Sequence, residues 1–137
     1  MGATPLPYGP DLPRLLKEAT DGRGVDAVFD SVGRATQADS QASLALYGQL
    51  VFFGDSSGSP VSIHPDELYG RNLRVSCFWL AADPPERWDS ARRELQDWVI
   101  TGQLRITIDQ TLSLADAAEA HRRLEQRQTQ GKLILIP

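Results

Sequence analysis

The feature that most constrains this chain is a repeated local pattern, in which a short apolar run stops at a small-residue exit and gives way to helical spacing. Val25 to Phe29 is interrupted only by Asp26, ends at Asp30 and leaves through Ser31-Val32-Gly33. Gln49 to Phe53 likewise runs into Gly54-Asp55-Ser56. An apolar run bounded by turn residues is what a buried parallel strand requires. Between the two runs, Ala38, Ala42, Leu44 and Ala45 supply the apolar face of a helix expected to end near Tyr47-Gly48. Parallel strands cannot be joined by a tight hairpin, so the intervening helix is a topological need as well as a local preference.

The rest of the chain extends the alternation. From Asp11, residues Leu12, Leu15, Leu16 and Ala19 recur at helical spacing, with Pro13 in the first turn, where a missing N–H costs nothing. Pro65 to Tyr69 reads as a helical turn, and Leu73 to Leu80 has the β-branched and aromatic content of a third strand. Pro84-Pro85 opens a long helix with Trp88, Ala91, Leu95, Trp98 and Val99 on one stripe, stopped by Gly102. Ile106, Ile108 and Leu112 suggest extended structure. Ser113 then caps a helix through Arg127, expected to turn Leu114, Ala117, Ala118, His121 and Leu124 inward, and Leu133 to Ile136 closes as a strand. The fold class is α/β with a mainly parallel sheet, and 137 residues suffice for one core.

Charge and inventory exclude several functions. A net charge of -4 argues against nucleic acid as a partner, since phosphate binding wants clustered cations. No apolar run of membrane-spanning length occurs, and the single Cys77 can form no intramolecular disulfide, which points to the cytoplasm. His64 and His121 lie far apart with no paired-ligand spacing, so no dedicated metal site is expected. Ser56-Ser57-Gly58-Ser59 lacks the G-x-S-x-G turn of a hydrolase. The Arg92-Arg93 and Arg122-Arg123 pairs have acidic neighbours and read as solvated helix faces.

In open α/β sheets ligands bind beyond the carboxyl ends of the strands. Asp30-Ser31-Val32-Gly33 and Phe53-Gly54-Asp55-Ser56 both occupy such ends, where glycine lets a flat ligand approach the backbone. The same residues also fit turn chemistry alone, with Gly33 and Gly54 permitting turns and Asp30 or Ser31 capping the next helix.

Taken in order, "DGRGVDAVFDSVG", "GQLVFFGDSSG" and "WVITGQLRITIDQTLSLADAAEAHRRLEQRQTQGKLILIP" resemble successive signatures of zinc-independent quinone oxidoreductases of the medium-chain dehydrogenase/reductase superfamily. The resemblance covers nearly the whole chain. It implies a partial Rossmann-type, doubly wound domain over residues 1–103 and, over 104–137, a return segment of the catalytic domain. "MGATPLPY" resembles a stretch inside the family's cofactor domain, so the chain is expected to begin midway through it, after the glycine-rich turn that cradles pyrophosphate; no G-x-G-x-x-G occurs here. The cofactor implied is NADPH or NADH in an incomplete site, and the substrate a quinone or enone. Carried over by position, Ser31 lies near the cofactor, Phe53, Gly54, Asp55 and Ser56 line its nicotinamide side, and Phe78, Trp79 and Leu80 edge the pocket. Lys132 is a further candidate for a phosphate contact. No residue is assigned as catalytic acid, base or nucleophile. A homodimer through the 73–78 strand is implied as well. The alternatives are a non-catalytic dimerising or cofactor-domain module, and one half of a split enzyme whose amino-terminal partner is another polypeptide.

Overall fold

The computed structural model describes residues 2–137, which divide into two compact units between Ala82 and Asp83. Among the described residues the one cluster of buried hydrophobic side chains lies in the first unit, and Ala120 is the only buried apolar residue of the second.

The first unit is built on a three-stranded parallel sheet. Its elements in order are α1 (Leu12–Glu18), β1 (Val25–Asp30), α2 (Gln37–Ser43), β2 (Leu44–Phe52), α3 (Asp66–Tyr69) and β3 (Arg74–Cys77). The strand order is β1-β2-β3, with Val28 opposite Leu50 and Leu50 opposite Val75. Because side chains alternate across a strand, Val28, Leu50, Phe52 and Val75 fall on one face. They pack with Leu44 and Leu73, and Val61, Ile63 and Leu68 close over them. Burying one such side chain contributes roughly 1.5–3 kcal/mol.

The opposite face is open. Phe29 is 72% exposed, and Phe53 and Phe78 are exposed too. The expectation of a strand buried on both faces therefore fails for β1, whose neighbour α2 carries Thr36 and Ser40 against the Asp30 side only.

The end of α2 also differs from expectation. The helix stops at Ser43, and Leu44 and Ala45 are buried as the start of β2. The register slips between the pairs Val25–Leu44 and Ala27–Gln49, and Tyr47 takes a positive φ of 62°. Arg71 holds this irregular stretch: its guanidinium donates to the carbonyls of Gln41 (2.7 Å) and Leu44, while Tyr47 N–H donates to Arg71 O (2.8 Å). Strand β3 is shorter than the Leu73–Leu80 segment expected, because Leu80–Ala82 turns into a short 3-10 helix.

The second unit contains α4 (Pro85–Ile100), β4 (Ile108–Ser113), α5 (Ala117–Glu125) and β5 (Lys132–Ile136), with β4 and β5 paired in parallel. Prolines open α4, and Gly102 with φ 74° follows its end, as its sequence predicts. The Ser113 side chain accepts from Ala115 N–H, but it caps a 3-10 turn, Leu114–Asp116, rather than the helix through Arg127 expected; α5 itself starts at Ala117 and ends at Glu125. Helix α5 is rotated from the expected orientation: Ala120 is buried and Ala117 and Arg123 half-buried, whereas Leu114, Ala118, His121 and Leu124 are exposed. The cause is Arg123, which reaches β4 to donate to Asp109 (3.3 Å) and Gln110. That ties the i, i+3, i+6 stripe to the strand pair and removes Arg123 from the solvated face expected for it.

Candidate functional site

Two loops leave the carboxyl ends of β1 and β2 side by side, and backbone hydrogen bonds join them. Phe53 N–H donates to Asp30 O (2.9 Å), Ser56 N–H to Ser31 O (3.2 Å) and Ser57 N–H to Val32 O (2.9 Å). Such close approach needs glycine at two places for different reasons. Gly33 has a φ of 86°, which L side chains rarely adopt. At Gly54 the restriction is space, since a Cβ there would lie 2.8 Å from Ser31 O.

Asp30 anchors the first loop. The residue is only 5% exposed, yet its carboxylate accepts four hydrogen bonds: from Val32 N–H (2.8 Å), Gly33 N–H (3.0 Å), Thr36 Oγ1 (2.7 Å) and Ser40 Oγ (2.6 Å). Burial pushes its pKa up, but the donations from Ser40, Gly33, Thr36 and Val32 together outweigh it and hold the carboxyl below the ordinary value of 3.8. The sign for stability follows. A folded-state pKa below the unfolded one gives stabilisation that is complete above about 3.9 and is lost as pH falls through that value toward the folded pKa. Thermal melting is thus expected to be flat from pH 7 to 5 with respect to this group and to drop below about pH 4, and Asp30→Asn should flatten that drop. An unchanged acid slope in the variant would contradict the assignment.

Beyond the joined loops lies an apolar cavity of about 530 Å³, lined by Phe52 to Asp55, Val61, Ile63, Val75 and Cys77 to Trp79. Its volume is within the range of small-molecule sites. Of the positions singled out from sequence, Phe53, Gly54, Asp55, Phe78 and Trp79 share this cavity. Ser31 lines a separate groove of about 200 Å³ with Tyr8, Leu12 and Leu16, and joins the site through its carbonyl. Ser56 contributes a backbone bond, and Leu80 lies exposed in the turn after β3. Lys132 begins β5 in the second unit, where its N–H donates to Thr107 O (2.9 Å). The cavity-lining residues missed from sequence are Phe52, Val61, Ile63, Val75 and Cys77. An apolar pair spaced i, i+2 after the Gly-Ser loop was the available signal for Val61 and Ile63. Among the described residues, no group of His, Cys, Asp and Glu could hold a metal ion, and no helix is long and apolar enough to cross a membrane.

The comparisons with known proteins bear on the family and the fold. Residues 4–135 match the family model described as zinc-binding dehydrogenase. A quinone oxidoreductase of Pseudomonas aeruginosa is 35% identical over 130 residues, 90% of this chain and 39% of that protein. A 2-haloacrylate reductase of a Burkholderia species is 30% identical over 93% of this chain and 39% of its own length. Among solved structures, Escherichia coli quinone oxidoreductase complexed with NADPH superposes with a TM-score of 0.82 at 36% identity, covering 93% of this chain and 40% of that one. The chain thus spans about two fifths of the length of the relatives it matches. Over that span, sequence and fold place it in the zinc-binding dehydrogenase family.

Proposed function

We propose that this chain supplies the nicotinamide-facing side of an NAD(P)H-dependent oxidoreductase of quinone reductase type, which reduces a quinone or an activated carbon–carbon double bond. The observation that carries this reading is the apolar cavity at the carboxyl ends of adjacent parallel strands, walled by Phe53, Phe78 and Trp79 and floored by Gly54. Those residues fit the ring of a dihydronicotinamide, which when bound supplies a hydride. Phe53, Phe78 and Trp79 would cover one side of that ring, and the Gly54–Asp55 backbone would allow close approach. The Ser31 carbonyl accepts from Ser56 N–H and lies against Gly54, where it leaves no room for a Cβ. No side chain of the cavity is assigned proton transfer. Lys132 remains the candidate for a phosphate of NADPH, and residues 1–103 and 104–137 the proposed division into cofactor-domain and catalytic-domain parts. The named relatives act on a quinone and a haloacrylate, which supports the substrate class. Zinc independence is supported by the lack of paired ligand spacing among Cys77, His64 and His121, and a cytoplasmic location by the lone cysteine.

For the 137-residue chain by itself, calorimetry should give a dissociation constant for NADPH weaker than about 10 μM, because no G-x-G-x-x-G turn is present to hold the pyrophosphate. Quinone-dependent oxidation of NADPH should equal the protein-free control. Low-micromolar binding, or turnover abolished by Gly54→Trp, would overturn the reading of an incomplete site.

The open sheet face at Phe29 favours a second reading, in which the chain is one half of a split enzyme or a dimerising module. In either case the partner at β3 is another copy of this chain. The strand is an edge of its sheet, with no proline or lysine from Leu73 to Leu80 to protect it. Light scattering should give a dimeric mass that Val75→Pro converts to monomer. A monomeric wild-type chain would refute this pairing.

A further inference from the structure

We propose that Asp30 is a positioning residue for cofactor binding, acting through the backbone of both strand-exit loops rather than by touching the ligand. The inference rests on the cofactor reading above. Asp30 lies outside the apolar cavity, and since any buried carboxylate must have its lone pairs satisfied, what marks a positioning acid is which groups satisfy them. This one receives two loop amides on Oδ1 and two hydroxyls on Oδ2, so its side chain joins the first loop to the start of α2. Its own carbonyl accepts from Phe53, and the loop it shapes presents the Ser31 and Val32 carbonyls to Ser56 and Ser57. A single carboxylate therefore fixes the loop on which the cavity wall at Phe53–Asp55 is registered. Backbone polar groups left unpaired in a buried setting are costly, so loss of the acceptor should open both loops together.

Amide hydrogen exchange with an NADPH titration followed by NMR tests this on the full chain. In Asp30→Ala, exchange at Val32, Gly33, Ser56 and Ser57 should rise at least about tenfold while β2 amides change less than about twofold. The response of Phe53–Asp55 to NADPH should weaken about tenfold as well. Asp30→Asn should restore both to within about threefold, since its side-chain oxygen can accept from Val32 and Gly33 while the Thr36 and Ser40 hydroxyls rotate to accept from its amide. Should Asp30→Ala fail to fold, Thr36→Val with Ser40→Ala removes two donors and is expected to raise exchange at the same four amides by about threefold. Faster exchange confined to Val32 and Gly33, or unaltered NADPH response with both loops opened, would overturn the proposal, as would failure of asparagine to rescue. A wild-type chain with no response to NADPH up to about 10 mM would sink the cofactor reading and the ligand half of this proposal; the exchange comparison would still decide the anchoring half.

Discussion

Leu50→Ala is expected to destabilise the first unit by about 3–4 kcal/mol, a large part of what a small domain has. Leu50 is 0% exposed at the middle of the central strand, between Val28 and Val75 across the sheet and with Leu44, Phe52 and Leu73 in the same cluster. Truncation removes the buried methyl groups and leaves a hole that rigid sheet backbone cannot collapse to fill. The comparison variant is Leu124→Ala on α5, 50% exposed despite its place in an apolar helical stripe. It should cost less than about 0.5 kcal/mol. Urea unfolding of the two variants checks the contrast. Equal shifts in midpoint would mean that the hydrophobic stripe of α5 is covered and that the core is not where the structure places it.

These two leucines also show what the sequence discloses. Strands β1 and β2 and helix α4 are legible because apolar runs, proline starts and glycine stops are local signals. Which face of an amphipathic helix is covered is not local: α5 is turned by one arginine, Arg123, finding Asp109 and Gln110 on β4. The early end of α2 has the same kind of cause. Leu44 and Ala45 continue a helical pattern, but Arg71, distant in sequence, takes up the carbonyls of Gln41 and Leu44. Within the site, Phe53, Gly54 and Asp55 could be found as a strand end, whereas Phe78 and Trp79 are indicated only by the family resemblance. Val61 and Ile63 belong to a loop that packs against the sheet core; their i, i+2 spacing marks an apolar pair but does not say what it packs against. Asp30 could be read as a cap, whereas its four partners come from positions two to ten residues ahead and meet only in the folded chain.

The second large effect is expected at Gly54. Valine there would bring its Cβ against the Ser31 carbonyl, which is backbone and cannot swing aside. The loops must separate, weakening the bonds from Ser56 to Ser31 and from Ser57 to Val32. A strain cost of about 1–3 kcal/mol is expected, with NADPH affinity reduced at least about tenfold because the cavity floor shifts. Gly58→Ala offers the control: a Cβ at Gly58 meets nothing within 4 Å, although its φ of 68° adds backbone strain. That variant should lose some stability and keep its response to the cofactor. A Gly54→Val protein with unchanged loop exchange would show that the two strand exits are not held in contact.

The central claim is that the nicotinamide half of the cofactor is received at the carboxyl ends of β1, β2 and β3. The most direct measurement is a two-dimensional amide NMR titration of the 137-residue chain with NADPH into the millimolar range, alongside the same titration of Gly54→Val. Shifts are expected to concentrate at Ser31, Phe53 to Ser56, Phe78 and Trp79, saturating weakly in the wild type and nearly lost in the variant. Shifts gathered instead around the polar groove of Arg34, Gln37, His64 and Arg71, or shifts at the strand ends that Gly54→Val leaves untouched, would contradict it.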